Sequence, residues 1–151
     1  MLQLARGEDR AAVEALAQQI HRLHVQWRPD LYTLADEMWS LERFQEALAQ
    51  RQLFVAKIDN VVAGYVLFRI RNYDMIGHVK RRALFVDEIC VDEMSRNQGI
   101  GTEMMTEVRA LARAFGCTDL QLGVYPQNEE GVAFYQKCGF RIKSIDMQMK
   151  I

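Results

Sequence analysis

Cysteine is scarce in this sequence: Cys90, Cys117 and Cys138 are odd in number and no two are close. That excludes a disulfide framework and a zinc knuckle, and it fits a reducing compartment. Charge of one sign is lacking too. Nineteen basic residues against twenty acidic ones leave a formal net charge of −1, so no broad field draws the chain to nucleic acid or an anionic membrane, and neither is expected as a partner. Any anion site must be local, built from backbone groups and one or two cations. No apolar run approaches the length of a membrane span, and the opening MLQLARGEDR lacks the apolar core of a secretory signal. A cytoplasmic location is the expectation. Repeats, linkers and low-complexity stretches are missing as well, which suits a single domain over residues 1–151.

What remains is an ordinary globular composition, 50% hydrophobic and 26% charged, with readable periodicity. LQLARG alternates as a short opening strand. GED starts a helix in which Val13, Leu16, Ile20, Leu23 and Trp27 recur at three- and four-residue spacing. Arg28-Pro29-Asp30 ends it, because the residue before proline is pushed out of helical geometry. Ser40 is placed to cap a second helix with Leu41, Phe44, Ala47 and Leu48 as its buried stripe. Two β-rich runs follow, separated by Asp59-Asn60, a pair that tolerates the positive φ of a tight hairpin. NYDMIGHVKRR reads as a longer loop, and residues 83–92, ALFVDEICVD, as a strand that is apolar except at Asp87 and Glu88. The next helix carries Ile100, Met104, Val108, Leu111 and Phe115 on one face and stops at Gly116. DLQLGV is then a strand parallel to 83–92 across a right-handed crossover, EEGVAFYQKC a short helix, and FRIKSIDMQMKI a final alternating strand. The order predicts an α/β domain with a mixed, mostly antiparallel sheet flanked by helices.

Between strand 83–92 and its helix lies SRNQGIG. Glycines there let the chain turn sharply and let a ligand approach the backbone. Successive N–H groups can form an anion-holding nest, with the helix dipole behind them and Arg96 beside them. A Walker loop is excluded for want of Gly-Lys-Ser/Thr. A Rossmann fingerprint is excluded because position 104 is Met104 and the strand order is not parallel. Alone, Gly99 and Gly101 could simply shape a strand-to-helix turn.

The arrangement Arg96-x-x-Gly99-x-Gly101, followed by NEEGVAFYQKCGF, resembles the GNAT superfamily of acetyl-CoA-dependent N-acetyltransferases. Its pyrophosphate loop matches at Arg96, Gly99 and Gly101, and its second motif at Asn128, Ala133, Phe134, Tyr135, Gly139 and Phe140. Asn97 stands where many members have glycine, and Asn enters left-handed geometry readily enough to keep the loop. The resemblance implies that strands 83–92 and 119–124 splay apart at a bulge. The pantetheine arm of acetyl-CoA would then pair with the backbone of Ile89, Cys90 and Val91. The amides of Asn97, Gln98, Gly99, Ile100, Gly101 and Thr102 would hold the pyrophosphate, with Asn128, Ala133 and Tyr135 also against the cofactor. No metal is implied.

By the same resemblance Tyr135 is the candidate general acid, beside the cofactor sulfur; otherwise it is a core aromatic. The candidate bases are Asp87 and Glu88, of which Glu88 has the longer reach and would act through water. Adjacent strand residues point to opposite faces, so only one addresses the cleft unless a bulge intervenes. The other would pair with an Arg or Lys of the 80–82 run. His21 and His24, three apart on the first helix, lack a third metal ligand, and Cys90 is better read as a core residue than as an acyl carrier. The acceptor amine is expected among Trp27, Asp30, Tyr32, Trp39 and Tyr73. A small amine, an amino acid or a peptide amine all remain open, as does a homodimer packed through the 27–39 loop. Two rival functions share the fold: a non-catalytic acyl-CoA-binding regulator, and a tRNA-directed acetyltransferase toxin, which would want a basic face this chain lacks.

Overall fold

Asp59 and Asn60 adopt φ of 49° and 63°, both left-handed, and the hairpin they make seeds the sheet. The computed structural model describes residues 1–151. The elements are β1 (Leu2–Leu4), α1 (Arg10–Trp27), α2 (Leu41–Ala49), β2 (Leu53–Ile58), β3 (Val61–Tyr73), β4 (Arg81–Val91), α3 (Ile100–Ala114), β5 (Asp119–Leu122) and α4 (Glu129–Lys137). The sheet runs β1-β2-β3-β4-β5, antiparallel throughout except for the parallel pair β4–β5. Ser40 caps α2 as its sequence suggests, its Oγ accepting from the Arg43 amide at 3.1 Å.

Strand alternation sorts the core into two layers. Leu53, Val55, Tyr65 and Cys90 face α1 and α2, where Val13, Leu16, Phe44 and Trp39 complete one cluster. Ala56, Val66, Phe68, Leu84 and Val86 face α3 and meet Ile100, Met104, Met105 and Val108. Each of the fully buried Leu and Val side chains contributes about 1.5–3 kcal/mol relative to exposure, so the helices are held by their stripes more than by local propensity. No helix is long and apolar enough to cross a membrane.

Two sequence expectations change, and the expected bulge finds its place. β3 and β4 extend into NYDMIGHVKRR, leaving a loop of only 74–80, because cross-strand pairing from Arg71 with Ala83 to Tyr73 with Arg81 outweighs the polar character of those residues. The register of β3 against β4 slips between Leu67 and Phe68, which pair with Glu88 and Val86 and leave Asp87 as an extra residue. That bulge resets the phase: Val86 packs toward α3, while Glu88 two residues on faces α2. The final strand does not form. Residues 141–151 form neither helix nor strand, are exposed and lie outside the sheet, so the parallel pair lies at one edge of five strands.

Candidate active site

The loop after β4 begins with a 3-10 turn at Glu93–Ser95 and enters α3 through Asn97 at φ 62° and Gly99 at φ 83°. Two left-handed residues fold successive amides inward, and no amide from Asn97 to Thr102 donates to a protein acceptor; the first helical bond is that of Glu103 to the Gly99 carbonyl, at 3.0 Å. Arg96 is tied back by its Nε to the Val91 carbonyl at 3.0 Å. Gln19 of α1 braces the approach, donating to Asp92 at 2.9 Å and accepting from the Glu93 amide at 3.0 Å. Ile100 buries its side chain in the core, so only its amide is offered.

Beside this nest the sheet opens. β4 and β5 pair from Ala83 with Asp119 to Val86 with Leu122 and no further. Beyond that point Ile89, Cys90 and Val91 pair only with β3, on their other edge, and Gly123–Tyr125 diverge. A cleft edged by unpaired strand backbone thus leads into a nest of free amides. The donor set suits an elongated ligand with an anionic end and an amide-bearing arm.

α4 closes one side of the cleft. A Cβ on Gly101 would sit 3.2 Å from Phe134, so the glycine lets α4 approach α3. Phe134 does the packing, and Tyr135 lies between Phe134 and Phe140. The Tyr135 hydroxyl makes no hydrogen bond within the protein, and burial, with Cys138 and Cys90 adding, pushes its pKa up to about 12. It stays protonated at neutral pH. Asn128 caps α4, accepting from the Gly131 amide at 2.9 Å, and Ala133 lies on the exposed face of that helix.

The opposite mouth is aromatic. Tyr32 and Tyr125 share a hydroxyl hydrogen bond of 2.7 Å, which chiefly pushes the Tyr32 pKa up to about 12. His24 stacks on Tyr32 at 5.2 Å and touches Trp27 and Tyr125. Burial and the neighbouring His21 lower its pKa against the opposing pull of Glu88. His21 is fixed elsewhere, donating to the Thr33 carbonyl at 2.7 Å. Asp30 is engaged by Arg28 at 2.7 Å.

The two carboxylates differ. Glu88 accepts from Arg43, and from the Tyr65 hydroxyl at 2.7 Å; Arg43 lies 3.7 Å over the Trp39 ring. Each Glu88 oxygen keeps a lone pair for water or an ammonium group. Asp87 has one ion pair, to Arg69 at 3.3 Å, and burial raises its pKa above the usual carboxylate range. Neither pairs with the 80–82 run. Two acceptor expectations fail to join the cluster. Trp39 is fully buried, packed edge-on to Phe44 and Tyr65, because the 28–40 loop tucks its last residues under α2. Tyr73 sits at the far end of β3, about 30 Å along the strand from Gly64, with its hydroxyl on Gln121 at 2.8 Å. Sequence reasoning missed Arg43, Tyr65, His24 as an acceptor-side group, and Tyr125. The last had a signal, since it lies three residues past the end of β5, the second strand of the parallel pair.

The sequence profile of the Acetyltransferase (GNAT) family matches residues 14–140. The chain belongs to that family. As a member of the GNAT family it is an acyltransferase. It is 30% identical over 132 residues to the L-amino acid N-acetyltransferase AaaT of Escherichia coli, covering 82% of this chain and 76% of that one. Among solved structures, a tetramutant of the BH1408 protein from Bacillus halodurans superposes with a TM-score of 0.94 at 23% identity, over 100% of this chain and 99% of that one. The aminoglycoside N-acetyltransferase AAC(6')-Iy, solved in complex with CoA, does so with a TM-score of 0.75 at 18% identity, over 100% of this chain and 93% of that one. These two likenesses speak for the GNAT fold.

Proposed function

We propose that this chain transfers the acetyl group of acetyl-CoA directly to a primary amine within a ternary complex. The observation that carries the reading is the conjunction of unbonded amides from Asn97 to Thr102 with strand pairing that stops at Val86 and Leu122. Those amides and Arg96 would hold the pyrophosphate, and the free edge of Ile89–Val91 the pantetheine arm. Acetyl-CoA supplies the thioester carbon that the acceptor nitrogen attacks. An unpaired β4 amide would stabilise negative charge on the carbonyl oxygen. Tyr135, protonated and without a protein partner, would give its proton to the departing sulfur. The amine's proton would pass through water to the Asp87–Glu88 pair, with Glu88 held in place by Arg43 and Tyr65.

Direct transfer is favoured over an acyl-enzyme because Cys90 is a buried thiol, its pKa pushed up to about 11 by burial. The acceptor would enter between α1 and the 28–40 loop, past Trp27, His24, Tyr32 and Tyr125. Similarity to an amino-acid acetyltransferase puts amino-acid amines first, ahead of other small amines and peptide amines. The test is release of free thiol from acetyl-CoA across a panel of amino acids, polyamines and peptides. Turnover with at least one class is expected; silence across all three would leave only a binding role.

A further inference from the structure

The apolar core under α1 and α2 stops partway along the sheet. On that face of β3, Tyr65 is buried in the cluster and Leu67 packs at its margin. The next residues to point the same way are Arg69, Arg71 and Tyr73. Opposite them on β4 stand Phe85, Ala83 and Arg81. Phe85 packs on neither core cluster. Cations cover its ring instead: the guanidinium of Arg71 lies 3.5 Å from the ring centroid and that of Arg69 5.1 Å from it. Stacking of this kind holds a long side chain in place while its fork of N–H donors stays available.

The charges on this face do not cancel. Asp87 matches Arg69 at 3.3 Å, and Asp119 matches Arg81 at 2.7 Å. Arg71 enters none of the chain's ion pairs. Lys143 is also unmatched but lies farther out, over Tyr73. Arg71 is therefore the free cation nearest the two candidate bases, with the neutralised Arg69 between. One unmatched charge suits a carboxylate, which accepts from a guanidinium fork through two oxygens, better than a doubly charged phosphate. Phe85 and Asp87 are two residues apart on β4, about 7 Å of strand. The α-carboxylate of an amino acid stands too close to its own nitrogen to span that gap. A carboxylate on a side chain spans it.

We propose that Arg71, with Arg69 beside it, selects acceptors that carry a carboxylate several bonds from the amine, as an amino acid with an acidic side chain does. The proposal rests on the acetyl-transfer reading and narrows its acceptor. Arg71 sets specificity and takes no part in moving protons.

Thiol release from acetyl-CoA, compared for glutamate and for the equally shaped but uncharged glutamine, tests this. The native chain should prefer glutamate. In Arg71→Gln the KM for glutamate should rise roughly 10- to 100-fold, the loss of one charge-assisted contact, while kcat, the KM for glutamine and the KM for acetyl-CoA hold. Arg71→Lys should recover part of the preference. A second arm titrates glutarate, which has no amine, into labelled protein saturated with CoA. Its amide shifts should fall on Arg69, Arg71 and Phe85 and vanish in Arg71→Gln. Equal use of glutamate and glutamine by the native chain, or an Arg71→Gln variant that handles both equally worse, would overturn the proposal. Absence of thiol release with every amine would defeat the acetyl-transfer reading instead. Glutarate shifts then still decide whether this face binds a carboxylate, and their absence would overturn it.

Discussion

Tyr135 is the residue on which the proton inventory turns. Removing its hydroxyl in Tyr135→Phe keeps the ring between Phe134 and Phe140 and deletes only the donor. We expect kcat to fall about 10²-fold, at the low end for a general acid, with acetyl-CoA affinity unchanged. Equal turnover by the variant would move the acid elsewhere. His24 offers a separate reading. Burial makes its imidazolium less favourable in the fold than in the unfolded chain, so the unfolded chain binds the proton more readily. Stability is then lost as pH falls through the ordinary 6.5 and levels off once the folded ring also protonates. In His24→Gln the fall in Tm between pH 7 and 5 should be shallower, read by calorimetry; an identical slope would show that His24 does not titrate with folding. At Glu88 the expectation concerns both proton transfer and binding. Glu88→Gln removes a proton acceptor and leaves Arg43 without its counter-ion, so kcat should fall and KM for the amine rise several-fold while KM for acetyl-CoA holds.

Among the elements, the strand-to-helix loop and the β3–β4 bulge set the site. Gly99 at φ 83° meets no obstacle to a Cβ, so Gly99→Val costs conformation alone, about 1–2 kcal/mol, and is expected to weaken acetyl-CoA binding about tenfold by titration calorimetry. Gly64 is the opposite case. A Cβ there would lie 2.7 Å from the Cys90 carbonyl and 2.9 Å from Met104 Sδ, so Gly64→Ala should destabilise by about 1–3 kcal/mol through overpacking. A denaturation midpoint at the native value would refute that contact.

What the sequence disclosed follows the same division. Ser40 as a cap, Asp59-Asn60 as a turn and Asn97 in left-handed geometry were legible because each depends on a few adjacent residues. The resemblance implied a bulge in this strand, but its place at Asp87 was not legible, because it exists only in the register with Leu67 and Phe68. Trp39 looked like a loop aromatic, and only the packing of Phe44 and Tyr65 reveals it as core. Glu88 and Arg43 are 45 residues apart, and nothing local announces their pairing.

At the scale of the molecule, one sheet edge is left open and one cleft is left unpaired, and the two are neighbours across β5. The alternation in residues 145–151 was readable as a strand, yet the segment stays outside the sheet. The central claim concerns the cleft: free amides at the start of α3 and an unzipped β4 edge together receive acetyl-CoA. Amide chemical shifts of isotopically labelled protein titrated with CoA test it most directly. The account predicts that the largest shifts fall on residues 97–102 and 89–91, with smaller ones on Gly123–Tyr125. Shifts confined to other surfaces, or a saturated complex that leaves residues 97–102 unmoved, would contradict it.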